Sequence, residues 1–205
     1  MTLPEVRTPP LQERKPLEVV TVPAEHVMPV RRDDLSTFRS FGLLIHAAID
    51  TGIAEGALTE AAAFLRGYTK GGWPGALPEK VVEDPVVVQR FGELAVLTRA
   101  ARALLESAGE AVDRARAAAP EEFEELAGEA AVAMAAARAQ ADRAANRVTS
   151  EWFELAGASA ARGPLGLDRH WRNARTHTVH DPRRAKVHDV GNYHLNGIAP
   201  RGFPR

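Results

Sequence analysis

The segment best equipped for chemistry reads Asp168-Arg-His-Trp-Arg-Asn-Ala-Arg-Thr-His-Thr-Val-His-Asp-Pro182, with three arginines, three histidines and two aspartates. His177 and His180 stand three residues apart, a spacing that on a helix puts both rings on one face, where they could meet one ligand. An imidazole ordinarily titrates at about 6.5, so such a pair suits the management of a proton at a bound group. The same pair could equally bind backbone carbonyls at a helix end. Asp181 is a candidate carboxylate base, although Asp181-Pro182 is also the pattern of a helix N-cap and its first helical residue. Arg172 and Arg175 match a phosphate group bidentately, or tie a short helix to an acidic neighbour. A metal set of His170, His177, His180 and His188 has no Cys or Glu to complete it. The arginines alternate with Trp171 and Tyr193, but no nucleic-acid-binding module fits them.

Charge is distributed unevenly around this segment. The 205-residue chain has a formal net charge of −1, yet residues 160–205 hold nine Arg/Lys against three Asp and five of the seven histidines. The remainder, 17 basic against 24 acidic, is an acidic body. A basic tail of this kind could meet nucleic acid, a membrane surface or a phosphate-bearing cofactor. A hydrophobic fraction of 45% and a charged fraction of 26% are those of a soluble globular domain. With no cysteine, disulfide and thiol chemistry are excluded, which suits a reducing cytoplasm. The start shows no signal-peptide pattern, and the apolar stretch Phe41 to Ile49 is too short to span a bilayer and contains His46.

Helices must position these residues. Residues 1–33, broken by Pro4, Pro9, Pro10, Pro16 and Pro23, leave room only for a short extended piece, Leu17 to Val22. A helix is expected from an Asp34 or Ser36 cap to about Tyr68, with Phe41–Ile49 apolar nearly all round and therefore buried. Gly52 and Gly56 would let a neighbouring helix approach, and a loop from Thr69 to Glu83 follows. Asp84-Pro85 opens a second helix whose inner stripe is Phe91, Leu94, Ala101, Leu104, Leu105, Ala108 and Val112. Pro120 opens a third with an acidic first turn, Glu121, Glu122, Glu124 and Glu125. Its inner stripe runs Phe123, Leu126, Ala130, Met134, Ala137, Ala141, Val148, Trp152 and Leu155, up to Gly157. A short helix follows Asp168 to about Thr178, and Asp181-Pro182 starts the last. The fold class is all-α, an antiparallel four-helix-bundle-type domain over residues 34–205.

The 168–182 segment resembles the C-terminal signature of the acyl-CoA dehydrogenase superfamily, most of all its dibenzothiophene-monooxygenase branch. Val190-Gly191 and Leu195-Asn196-Gly197 continue the resemblance. Val22-Pro23-Ala24-Glu25-His26-Val27 looks like the end of that family's β domain, and Glu83-Asp84-Pro85 with Phe91-Gly92-Glu93-Leu94 looks like its second bundle helix. Coverage is about residues 18 to 205. Neither the N-terminal helical domain nor the β domain of a full member is present, which leaves open a natural short product, half of a split enzyme or a remnant.

The resemblance implies a flavin, FMN or FAD, delivered reduced by a separate reductase, and transfer of one oxygen atom to a small organosulfur or similar apolar substrate. It implies that His177 and His180 face the flavin. Counting from Arg172-x-Ala-Arg175, Asp181 falls where one subgroup carries its catalytic glutamate, which keeps acyl-CoA dehydrogenation as an alternative. Gln89 and Ser159 stand where phosphate-binding arginines are expected, and Arg90 beside the first could compensate. Arg90, Ser159, Arg172 and Arg175 are thus the cofactor candidates. Bundles of this family form homo-oligomers, so a homotetramer, or a partner chain supplying the front half, is implied. A third reading is a non-catalytic assembly or complementation subunit.

Overall fold

The computed structural model describes residues 23–24, 35–68 and 80–200, with side chains from residue 41 onward in the first helix. Leu17–Val22, nearly all of the irregular segment 1–33, and residues 69–79 with Trp73 lie outside the described residues. Residues 32–205 form one compact unit. Among the described residues there are five α-helices: α1 Leu35–Arg66, α2 Pro85–Ala117, α3 Phe123–Ala156, α4 Arg169–Thr178 and α5 Arg183–Asn196.

The long helices run up, down and up. Arg102 of α2 pairs with Glu55 of α1, and Arg90 near the start of α2 reaches Glu154 near the end of α3 at 3.6 Å. The middle of α1 meets the middle of α3 through Asp50 and Arg138, and late α1 meets late α3 through Phe64 and Trp152. α3 is central, packing against α1, α2, α4 and α5. Alanines make this possible: Ala54, Ala57 and Ala61 on α1, Ala101 and Ala108 on α2, and Ala137, Ala141 and Ala144 on α3 are all buried. Small side chains let helix axes approach to the short end of the usual 8–10 Å range. Trp152 fills the larger space at one end, its ring 4.3 Å from that of Phe153 and edge-on to Phe64 at 6.1 Å.

Local signals explain most boundaries. The Asp84 side chain accepts a hydrogen bond from the Val86 amide at 2.9 Å, with Pro85 in the first turn, so α2 starts where its cap dictates. α3 starts later than its proline suggests. Pro120–Glu122 form a turn, and only Glu124 and Glu125 remain in the first helical turn, at the positive end of the dipole. Gly157, at φ 66°, ends α3. Ser36 lies inside α1, not at its cap.

Two expected core assignments fail. Leu104 is exposed, because it lies one residue, 100° of turn, off the buried row Ala101, Leu105, Ala108 and Val112. On α1, Phe41, Ile45 and Ile49 are each close to half exposed, at 47%, 48% and 44%, while Ala47, Asp50 and Ala54 face inward. An apolar run with no polar side carries no information about direction, and here the small residues took the core. Residues 41–66 are long and apolar enough to cross a membrane by length and composition, with mean hydropathy 1.3. The ion pairs of Asp50 and Glu55 with α3 and α2, and the buried alanine row, make this stretch a bundle helix.

Gly56 serves the close approach expected of it. A methyl group there would stand 3.2 Å from Cε1 of His170, so the absent side chain lets α4 lie against α1. Gly52 has nothing within 4 Å of such a methyl.

Candidate functional site

α4 brings His177 onto the buried middle of the bundle. His177 Nδ1 lies 2.7 Å from Asp50 Oδ1, and His177 Nε2 lies 2.9 Å from Nδ1 of His46. The other Asp50 oxygen, Oδ2, accepts from Nη1 of Arg138. Asp50 and Arg138 are 0% and 1% exposed, so this is an ion pair sealed from water, reaching out through His177 and His46. The His180 ring also faces His46, with centroids 5.5 Å apart, against 5.0 Å for His46 and His177.

The two motif histidines do not share one helical face. α4 ends at Thr178, and His180 sits on the turn beyond it. Both rings nevertheless converge on His46, one from the helix and one from the turn. Thr178 is pinned by Asn146 Nδ2, which donates to its Oγ1 at 3.0 Å and to the Asp142 carboxylate at 3.2 Å.

Burial pushes the Asp142 carboxyl above its ordinary range, and Asp50 adds to this, while Arg138, Asn146 and Arg183 oppose it. His46 is held below its ordinary value by burial first, then by His177, Arg138 and His180, with Asp50 acting the other way. Arg138 Nε and Nη2 and Asn146 Oδ1 are buried with no hydrogen-bond partner among the described residues. Polar atoms of this kind are commonly satisfied by internal water.

Asp181 does not cap the last helix. Pro182, not Asp181, occupies the N-cap of α5, and no side chain caps that helix. Instead Asp181 Oδ2 pairs with Lys186 Nζ at 3.0 Å, and Lys186 is buried. A lysine so placed needs a counter-ion, and Asp181 is committed to it.

The cofactor candidates are dispersed. Arg90, on α2, is shared between Glu93 at 2.9 Å and Glu154 at 3.6 Å. Ser159, just past α3, has its hydroxyl 3.5 Å from that of Tyr68. Arg172 pairs with Asp168, and exposed Arg175 has no ion pair among the described residues. His170 is drawn to Glu60 at 3.3 Å and His188 is exposed beside Asp189, so the four-histidine metal reading fails on geometry. Among the described residues no group of three or more His, Cys, Asp or Glu could hold a metal.

Sequence reasoning passed over His46, Asp50, Arg138 and Asp142. The signal was available in part: Arg138 and Asp142 are charges beside an alanine and methionine stripe, and His46 and Asp50 are four apart, within and just past the most apolar run of the chain.

The C-terminal domain of acyl-CoA dehydrogenases matches residues 44–182, a span that includes every member of the histidine and ion-pair cluster. The chain belongs to the acyl-CoA dehydrogenase family. Within this family it is 34% identical over 191 residues to a dibenzothiophene monooxygenase of Rhodococcus erythropolis, covering 91% of this chain and 45% of that protein. The bundle superimposes on methanesulfinate monooxygenase from Pseudomonas fluorescens with TM-score 0.75 and 36% identity, over 81% of this chain and 43% of the other. It superimposes on FMN-bound dibenzothiophene monooxygenase from a Paenibacillus species with TM-score 0.71 and 36% identity, over 80% and 41%. This acyl-CoA dehydrogenase-type chain thus spans less than half the length of the relatives it matches.

Proposed function

We propose that this chain is the helical-bundle portion of a reduced-flavin monooxygenase acting on a small organosulfur or similar apolar substrate. The observation that carries the reading is the histidine cluster. His46, His177 and His180 meet at one place, and a buried Asp50–Arg138 pair fixes the innermost ring. The likeness to an FMN-bound monooxygenase and to a methanesulfinate monooxygenase supports it. FMN is the favoured flavin, and FAD the alternative.

The donor chemistry fits such a cofactor. Imidazoles on a rigid mount can hold or move a proton at the ring system, and arginines can meet the phosphate. His177 and His180 would face the ring. Arg175 is the candidate best placed for phosphate by its lack of a competing carboxylate; Arg172, Arg90 and Ser159 would supplement it, the first two after releasing Asp168 and Glu93. Bound in reduced form, the flavin would supply the electrons that let one atom of dioxygen enter the substrate while the other leaves as water. What this chain supplies is orientation, through Asp50 and Arg138, and proton handling, through the three histidines.

A cytoplasmic setting, a flavin reductase as electron source and association into a homo-oligomer complete the reading. Exposed Phe41, Ile45 and Ile49 form an apolar row, four residues apart, that favours association with another chain, whether a second copy or one supplying a front half. The same row favours the second reading, a non-catalytic assembly subunit. The dehydrogenase alternative is disfavoured by the Asp181–Lys186 pair, which engages the only carboxylate offered as base.

Reductase-coupled oxygen transfer to an organosulfur substrate, assayed with the chain alone and with any co-purifying partner, tests the proposal. Product in either case, retained in Asp181→Asn, supports a monooxygenase. A stable oligomer with no product in either case assigns the chain to assembly, and acyl-CoA oxidation abolished by Asp181→Asn would restore the dehydrogenase reading.

A further inference from the structure

We propose that His46 and His177 work as a single proton-carrying unit in which Nε2 of His46, not a nitrogen of His177, is the outer basic atom. The inference rests on the reading of the histidine cluster as the reaction site, and makes His46 a further functional residue there.

Which atoms can donate fixes the tautomers of both rings. A carboxylate held by a guanidinium only accepts hydrogen bonds, and Asp50 Oδ2 is taken by Arg138. Oδ1 lies 2.7 Å from His177 Nδ1, so that nitrogen carries hydrogen. A neutral imidazole protonated at Nδ1 is bare at Nε2. Nε2 of His177 stands 2.9 Å from Nδ1 of His46, and two bare nitrogens would gain nothing at that distance. Nδ1 of His46 therefore carries hydrogen and donates it, which leaves Nε2 of His46 bare. With both rings neutral, no other tautomer arrangement satisfies both contacts.

An arriving proton can then be relayed without any group leaving the chain. It adds to Nε2 of His46, and the proton on Nδ1 of His46 crosses to Nε2 of His177. His46 is neutral again, with hydrogen on Nε2, and His177 is an imidazolium between Asp50 and His46. One proton enters, one shifts, and the charge ends beside the buried carboxylate. A second proton is resisted, because it would set N–H against N–H across 2.9 Å.

The surroundings favour the same outcome. His46 is faced by Asp50 from its own helix, by Arg138 from α3, by His177 from α4 and by His180 from the following turn. Asp142 of α3 stands further back, facing the Arg138–Asp50 pair, and Arg183 of α5 faces Asp142. Arg138 and His180 oppose positive charge on His46, while the direct bond from Asp50 favours it on His177. Charge that enters at the half-buried His46 is therefore drawn toward Asp50.

Long-range 15N–1H NMR of the labelled chain, titrated from about pH 8.5 to about pH 4.5, reads tautomers and proton count directly without flavin or turnover. At the basic end both His46 and His177 should be in the Nδ1–H form. Across the titration the two rings together should gain one proton, where independent imidazoles of ordinary value, about 6.5, would gain two. His46→Phe should leave His177 in the Nδ1–H form, because Asp50 sets it. An Nε2–H tautomer on either ring at the basic end, uptake of two protons, or a change of His177 tautomer in His46→Phe would each overturn the proposal. None of these results depends on whether the chain binds flavin. Loss of the functional reading and loss of the dyad are thus separate outcomes.

Discussion

One helix, α3, carries two opposite solutions to burial. Its last three turns pack Val148, Trp152 and Leu155 against Phe64, Leu65 and Phe91, an apolar cluster with aromatic edges. Three turns earlier, between Ala137 and Ala141, it buries Arg138, and the facing stretch of α1 buries Asp50 between Ala47 and Ala54. The apolar end needs only shape. The charged middle must hold its geometry, because a buried ion pair recovers its desolvation penalty only when every partner is in place. A fold selected for stability alone has no need of the second arrangement, and in this one it ends on the half-buried imidazole of His46. The apolar end secures the bundle, and the middle holds His177 in place.

Five variants would sharpen or break that contrast, and the largest effects come first. Arg138→Ala leaves Asp50 buried and unpaired and should cost about 3–5 kcal/mol, and Trp152→Ala should cost a similar ~3–5 kcal/mol; denaturant unfolding checks both. The regions separate in the next variant. Asp50→Leu with Arg138→Met should be neutral or more stable by about 1–4 kcal/mol, yet should release the His177 tautomer. If the double variant is as destabilised as Arg138→Ala, the pair is a stability device and the contrast fails.

Ser159→Arg restores a guanidinium where relatives of this kind are expected to bind phosphate. One charge-assisted bond, about 1.5–3 kcal/mol, should tighten FMN binding by roughly tenfold to a hundredfold in a fluorescence titration. Glu55→Gln removes an exposed pair with Arg102 and should change stability by only about 0.2–1 kcal/mol, measured by the same unfolding assay.

The charged middle also predicts a pH signature. The folded chain holds His46 below its ordinary value, so the unfolded chain binds that proton more tightly. This contribution to stability is present above about pH 6.5 and is lost as the pH falls toward the depressed folded value. In His46→Phe the stability–pH curve should be flatter over that interval, as thermal unfolding at a series of pH values would reveal.

The apolar end was the legible one. Met134, Ala137, Ala141, Val148 and Trp152 recur at helical spacing, so a stripe of α3 could be drawn from sequence and lies buried as drawn. The same method misjudged Phe41, Ile45 and Ile49, because α1 is apolar on every side there and periodicity could not say which side faced in. At the charged middle, residue types pointed to His177 and His180, but their anchors did not stand out. Asp50 lies 127 residues from His177 and 88 from Arg138, and no local pattern reports a contact over such separations. Asp181 was misjudged for a related reason. Asp-Pro is a sound local cap signal, and a buried Lys186 five residues on claimed the side chain instead.

On the proposed function, the flavin ring lies at the histidine cluster in the middle of the bundle. FMN added to the labelled chain, with the imidazole signals followed by NMR, tests it most directly. Saturable shifts are expected, with a dissociation constant on the order of micromolar to millimolar, concentrated on His46, His177 and His180 and weak at His188 and His194. Saturable binding that leaves those three rings unmoved, or shifts confined to His188 and His194, would contradict it.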